Sequence, residues 1–120
     1  MIKLILLAKR KAGMSRDAFI DYYENQHVPL VGRLVPGQSA YRRNYVRHDR
    51  VAIPQDFTGE LEYDVVTEVC WEDRESYERT MAKAADPEIA QQVAKDEENF
   101  FQRETMRFFV VETHESDLPG

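Results

Sequence analysis

The order of strand-like and helix-like segments is the feature that most constrains how this 120-residue chain can fold. Four segments are predicted to be β-strands, three of them largely apolar and one, 40–48, more polar and imperfectly alternating. Two of the segments between them have the spacing of amphipathic helices. The predicted strands are 2–9, 40–48, 63–71 and 105–113, and the main helices are predicted to start at Ser15 and Arg74. A shorter helical stretch opens at Asp86-Pro87 and runs to about Ala94.

The order β-α-β-β-α-β is that of the split βαβ arrangement. It predicts an α+β, ferredoxin-like fold in which both main helices cover one face of an antiparallel four-stranded sheet. In a chain of 14.1 kDa, the other face would expose many strand side chains, so we expect two copies to pack sheet against sheet as a homodimeric α/β barrel. The length fits one domain, 1–120.

Composition and charge narrow the classes of partner. The formal net charge is -6, and acidic residues closely follow the arginines at 42, 43, 47 and 50, which disfavours nucleic acid. The apolar run after Met1 is much shorter than the roughly 20 residues that cross a bilayer, and no basic leader precedes it. We therefore expect neither a membrane span nor a signal peptide. One cysteine, Cys70, allows no internal disulfide and suits a cytoplasmic location.

Motifs for metals and cofactors are weak. The three histidines, His27, His48 and His114, are widely separated and form no recognisable zinc motif. Cys70 is expected to be buried on a central strand and therefore unreactive. The sequence has no glycine-rich phosphate loop. We expect no metal and no cofactor.

The strongest functional candidate is His27, at the end of the first predicted helix. Phe19, Tyr23 and His27 recur four residues apart, which places the imidazole on the inward face of that helix. Pro29 disfavours the α conformation at the preceding residue, so we expect the helix to end near His27, with a loop at 31–38. With an ordinary pKa of about 6.5, histidine can accept or donate a proton at neutral pH. The alternative is a structural histidine that binds the last helix carbonyls.

Other side chains are candidates for catalysis or ligand contact. Asp96 precedes an aromatic pair and is the carboxylate expected to pair with His27 or with substrate; a capping or solvated role is the alternative. Glu68 lies in mid-strand, where a buried charge needs a partner, either an arginine across the sheet or a ligand. The aromatic candidates can line a pocket or stack on a ligand, with core packing as the alternative: Tyr23, Tyr22, Tyr41, Trp71 and Phe108. The segment 51–62 shows no period and is a candidate flap.

These segments resemble the EthD-like family of dimeric α/β-barrel proteins over most of the chain. The histidine segment is similar to the family pattern Phe-x-x-Tyr/Trp-x-x-x-His through Phe19, Tyr22 or Tyr23, and His27. The resemblance also includes the strand 41–46, the segment 96–101 and the final strand 108–112, and the part at 96–100 is a weaker second match.

The resemblance implies a range of activities. The family and its superfamily neighbours include cofactor-free polyketide cyclases and dehydratases, quinone-forming monooxygenases and muconolactone isomerases, with haem-binding relatives and members of no assigned activity. It implies a small cofactor-independent enzyme that moves a proton on a cyclic or aromatic compound through His27. The alternatives are a non-catalytic ligand-binding or accessory protein of a degradative pathway, a cofactor-free monooxygenase, or a haem-binding protein.

Overall fold

The computed structural model describes residues 1–49 and 62–119. Strands and helices alternate along the chain in this order: β1 (Ile2–Ala8), α1 (Arg16–Tyr22), a π-helical turn (Tyr23–His27), α2 (Val28–Leu34), β2 (Ala40–Tyr45), β3 (Val65–Trp71), α3 (Arg74–Ala84), α4 (Pro87–Glu97), a 3₁₀ turn (Arg103–Thr105) and β4 (Arg107–Val111). The candidate flap at 51–62 lies, apart from Glu62, outside the described residues.

The four strands form one antiparallel sheet in the order β2-β3-β1-β4. Leu4 lies opposite Val69 and Leu6 opposite Thr67, so these side chains share the face that the helices cover. The residues between them point to the other face. The predicted α+β class with a four-stranded antiparallel sheet is confirmed.

Polar side chains start three of the helices. Ser15, the predicted N-cap of α1, accepts a hydrogen bond from the Ala18 amide at 3.1 Å. Asp73 and Asp86 do the same for α3 and α4. The helix α4 runs to Glu97, three residues beyond the predicted end, so that Asp96 belongs to its last turn.

The prediction that Pro29 ends the first helix is wrong. Helical backbone continues from α1 through the π-helical turn into α2 and ends at Leu34, so the first half of the loop predicted at 31–38 is helical. The Val28 amide donates to the Tyr23 carbonyl, five residues back, and Val28 itself is α-helical (φ -59, ψ -47). Pro29 then falls in the first turn of α2, a position at which proline is common.

The predicted strands are slightly too long. β1 ends one residue early, at Ala8, and β3 begins at Val65 rather than at 63. β2 ends at Tyr45 rather than at 48, because the chain turns there and His48 pairs with the Asp64 carboxylate at 2.9 Å. β4 covers only Arg107–Val111, since the 3₁₀ turn occupies the positions before it.

Aromatic rings form the centre of the core between the helices and the sheet. Phe19, Tyr23, Phe100 and Phe101 are buried and contact one another, with ring centroids 4.0–6.0 Å apart. The rings of the first helix therefore meet those that follow α4, and this contact holds His27 in place. Every helix within residues 1–49 and 62–119 is too short or too polar to span a bilayer.

Candidate functional site

A cavity of about 270 Å³ lies between the sheet and the helices α2 and α4. Most of its wall is apolar, with Leu4 and Leu6 from β1, Val31 from α2 and Val93 from α4. Six side chains with polar atoms also reach the wall: His27, Gln38, Tyr41, Thr67, Glu97 and Arg103. A mostly apolar pocket with a few converging polar groups is typical of small-molecule sites.

His27 occupies the end of the π-helical turn and is only 4% exposed. Its Nδ1 lies 2.7 Å from Oδ2 of Asp96. Because a carboxylate only accepts, Nδ1 carries the proton in the neutral ring and Nε2 keeps its lone pair. Among the described residues, Nε2 has no hydrogen-bond partner, while every fully buried side-chain nitrogen or oxygen has one. We infer that Nε2 is open to the cavity.

Asp96 is held by a second hydrogen bond. The Tyr22 hydroxyl donates to its Oδ1 at 2.6 Å, and the Asn99 side chain donates to the Tyr22 oxygen at 2.9 Å. Tyr22 and His27 are five residues apart, a separation that one turn of π-helix brings onto the same side. Each carboxylate oxygen of Asp96 thus contacts one side chain. Tyr22 directly precedes the π-helical turn, and His27 ends it.

Burial and the carboxylate have opposite effects on the imidazole. Phe100 and Tyr23 pack against it, with ring centroids 4.8 and 5.5 Å away. Burial lowers the pKa of His27 from its ordinary value, and the adjacent Asp96 offsets part of that effect. His27 is therefore neutral at neutral pH, with its acceptor nitrogen available.

Hydroxyl groups line another part of the wall. Tyr41 and Thr67 face the cavity, and the buried Tyr23 hydroxyl lies 2.8 Å from the Thr67 hydroxyl behind it. Burial and the nearby Tyr23 phenol raise the pKa of Tyr41, which keeps this phenol protonated and able to donate. Tyr23 thus supports the wall without lining it. Sequence reasoning missed Thr67, although a hydroxyl between Val65 and Val69 on the inward face was a signal.

An ion pair lies at a further part of the wall. Arg103 Nε donates to Glu97 Oε1 at 3.2 Å. Burial raises the pKa of Glu97, and Arg103 opposes this rise. Sequence reasoning also missed this pair. The signal was the spacing of Ile89, Val93 and Glu97, four residues apart, which places the carboxylate on the apolar side of α4.

The remaining predicted site residues are distributed over the molecule. Phe108 lines the cavity from the edge strand β4 and is 58% exposed. Trp71 is buried away from it and donates to the Thr80 hydroxyl at 2.9 Å. Glu68 lies on the opposite sheet face, where Lys3 (3.2 Å) and Asn44 (3.1 Å) contact its carboxylate. The structure therefore does not bring Trp71 or Glu68 to the cavity.

The part of the chain that the structure describes contains no group of three or more His, Cys, Asp or Glu side chains arranged to hold a metal ion. The ionisable groups around the cavity instead form two pairs, His27 with Asp96 and Arg103 with Glu97. Chemically, the first pair can accept and return a proton. The second pair places the positive charge of Arg103 at the cavity, where the buried carboxylate of Glu97 offsets it.

Solved structures share the fold at low sequence identity. A crystal structure of an ethyl tert-butyl ether D (EthD) family protein from Bacillus halodurans C-125 superposes with a TM-score of 0.63 and 24% identity, covering 95% of this chain and 99% of that one. An Arabidopsis thaliana protein gives a TM-score of 0.61 at 17% identity, over 98% and 100% of the two chains. A dimeric ferredoxin-like protein from Bacteroides fragilis gives 0.54 at 9%, over 93% and 95%.

At these identities the likeness to solved structures concerns the fold. No curated protein matches the sequence. The family model of the EthD domain, however, matches residues 11–104, which include His27, Asp96 and most of the cavity wall. The resemblance seen in the sequence is confirmed, and the chain belongs to the EthD family.

Proposed function

We propose that this protein is a cofactor-independent enzyme that transfers a proton to or from a small cyclic or aromatic compound bound in the cavity. The observation that carries the proposal is the contact between His27 Nδ1 and Asp96, in a side chain that lines the cavity and whose Nε2 has no protein partner among the described residues. A general base needs a free lone pair, a fixed orientation and a pKa near or below the working pH.

The proposed chemistry begins when Nε2 removes a proton from a carbon next to a carbonyl group. The positive charge that forms on the ring is stabilised by Asp96 at 2.7 Å, and Tyr22 keeps that carboxylate in place. Tyr41 and Thr67 can donate to the oxygen on which negative charge develops. Return of the proton to another carbon gives isomerisation. Transfer of the proton to a β-hydroxyl group, which leaves as water while the C=C bond forms, gives dehydration. Attack of the carbanion on a second carbonyl carbon of the same molecule, whose C=O bond opens and whose oxygen takes the proton, gives cyclisation.

We also propose that the working form is a homodimer. The face of the sheet without helices carries Ile5 and Leu7 of β1 beside Phe109 and Val111 of β4. The same face also carries the Lys3–Glu68 ion pair. Exposed apolar side chains on a sheet face are typical of surfaces that a second copy covers. The Bacteroides fragilis structure with this fold is described as dimeric.

Deuterium exchange tests the proton transfer without knowledge of the natural substrate. In D₂O, wild-type protein is expected to speed deuterium incorporation next to the carbonyl of cyclic ketones such as 2-tetralone, followed by NMR. His27→Gln should lower this rate by roughly 100-fold or more, as expected for loss of a general base. His48→Gln is the matched control, because His48 is outside the cavity and pairs with Asp64.

Full activity in the His27→Gln variant, or an equal loss in His48→Gln, would contradict the proposal. Binding of the ketones with no exchange in any of them would favour the non-catalytic alternative. Circular dichroism of both variants checks that they are folded.

A further inference from the structure

Arg103 presents unused hydrogen-bond donors at the cavity. Its Nε donates to Glu97, while its two terminal NH₂ groups donate to no protein atom among the described residues. The side chain is 46% exposed and lines the cavity, so these groups lie where the wall meets solvent. An arginine fork of this kind fits the two oxygens of a carboxylate.

Glu97 fixes the position of that fork. Its side chain is only 11% exposed, and a buried carboxylate is costly without a charged partner. The contact at Nε therefore restrains the guanidinium and leaves its far end free. Arg103 is the only lysine or arginine among the described residues that line the cavity, and His27 is neutral at neutral pH. Asp96, behind His27, keeps its negative charge, but both of its oxygens already accept hydrogen bonds, from Tyr22 and His27.

We propose that Arg103 binds the carboxylate of an aromatic or alicyclic carboxylic acid whose ring fills the apolar part of the cavity. The inference rests on the proposed function, because it names the substrate class of that enzyme. It concerns binding alone and can be tested without turnover. One end of the ligand would be anchored at Arg103, which places its ring within the cavity that His27 also lines.

Calorimetric titration with matched probes tests the subsite. We expect 2-naphthoate to bind the wild-type protein at least about tenfold more tightly than 2-naphthamide, since one charge-assisted contact distinguishes them. Arg103→Gln should remove this preference. Arg107→Gln is the control, because Arg107 is exposed and, within residues 1–49 and 62–119, donates only to the backbone carbonyls of Glu104 and Met106. Circular dichroism checks that both variants are folded.

A second variant separates a binding role from a structural one. In Glu97→Gln, the amide oxygen can still accept from Arg103, but the negative charge beside the guanidinium is gone. Binding of 2-naphthoate should therefore strengthen, while binding of 2-naphthamide stays the same. An equal change for both probes would contradict the proposal.

Equal affinities of wild-type protein for the two probes, or no binding of 2-naphthoate, would overturn the inference. So would an Arg107→Gln variant that loses the preference as Arg103→Gln does. His27→Gln should keep the preference for 2-naphthoate. If the protein shows this preference but catalyses no deuterium exchange, the carboxylate subsite is supported and the proposed enzyme activity is refuted. Failure of the subsite and failure of the proposed function are therefore distinguishable.

Discussion

A buried imidazole bonded to a carboxylate is the central feature of this protein at the scale of single residues. His27 and Asp96 are 69 positions apart in sequence, yet their side chains approach to 2.7 Å. Removal from water favours the neutral ring, and the carboxylate favours the charged one. The effect of burial is larger, so the ring is neutral. Its one N–H is at Nδ1, which faces the carboxylate, and Nε2 is left as an acceptor.

Removal of the charge on Asp96 should shift this balance further. In Asp96→Asn, burial of the imidazole remains but the attraction of the carboxylate is lost, so the pKa of His27 should fall below its wild-type value. NMR titration of the histidine ring protons measures it, with the signals of His48 and His114 as internal controls. An unchanged or higher pKa would show that Asp96 does not act on the ring.

The lowered pKa of His27 also predicts a pH dependence of stability. The unfolded chain takes up a proton near the ordinary pKa of 6.5, whereas the folded ring does so only at lower pH. The free energy of unfolding should therefore decrease as the pH falls from 6.5 toward the folded pKa, and the His27 contribution should be complete above 6.5. Urea unfolding of wild type and His27→Gln over this range measures it. A wild-type slope no steeper than that of the variant would refute this prediction.

At the scale of secondary structure, the π-helical turn decides where the site residues point. Tyr22 and His27 both reach Asp96 because the turn between them is wider than an α-helical one. The same turn allows the helix to continue past Pro29 as α2. Without it, a regular α-helix would direct these two side chains to different sides.

Pro29→Ala tests whether the proline is accommodated without strain. Since Pro29 lies in the first turn of α2, its replacement should lower the free energy of unfolding slightly, by less than about 1 kcal/mol, through greater freedom of the unfolded chain. A proline that strained the interior of a continuous helix would cost about 3 kcal/mol, and alanine would then stabilise the protein. Chemical denaturation shows whether Pro29→Ala lowers or raises the free energy of unfolding.

The turn that follows α2 depends on Gly37. Its φ of +121° is rarely adopted by L residues, and a Cβ there would lie 2.6 Å from the Thr80 hydroxyl. That hydroxyl donates to Pro36 and accepts from Trp71, so displacement would break both contacts.

Gly37→Ala should therefore destabilise the protein by roughly 2 kcal/mol or more. Gly32→Ala is the matched control, because a Cβ at this helical position meets no atom within 4 Å. It should stabilise the protein by about 0.5–1 kcal/mol. Thermal or urea unfolding of both variants measures the difference, and similar effects of the two would contradict the assigned role of Gly37.

At the scale of the whole molecule, the sheet separates the candidate site from the face proposed for dimerisation. The cavity, the proton-transfer pair and the arginine pair all lie on the side of the helices. The other side carries apolar side chains such as Ile5 and Phe109 around the Lys3–Glu68 ion pair.

Phe109→Glu should dissociate the proposed homodimer, because it places a charge beside Ile5 on the sheet face that the proposed contact covers. Analytical ultracentrifugation is expected to give twice the 14.1 kDa chain mass for wild type and the single mass for the variant. Val110→Glu is the control, since Val110 lies on the same strand but its side chain points to the other face. A monomeric wild type would refute the homodimer.

The order of elements and the inward position of His27 were determined by local patterns. Period-two strands and four-residue aromatic spacing depend only on neighbouring residues, so the α+β class followed from the sequence. The helix through Pro29 did not follow, because a rare π-helical turn offsets the local preference of proline. Local patterns also favoured Tyr23 over Tyr22 as a residue of the candidate site, because Tyr23 lies four residues before His27. In the structure, Tyr22 is the tyrosine that contacts Asp96.

The sequence by itself determined the strand and helix order, the family and the histidine around which the site is built. Only the tertiary structure decided which residues join it. Thr67, Glu97 and Arg103 reach the cavity through contacts between distant segments, and Asp96, expected to pair with His27 or with substrate, contacts His27. Glu68 is directed to the opposite face by the register of β3. The physical reason is that a local pattern specifies which way a side chain points, but packing of the whole chain specifies what it meets.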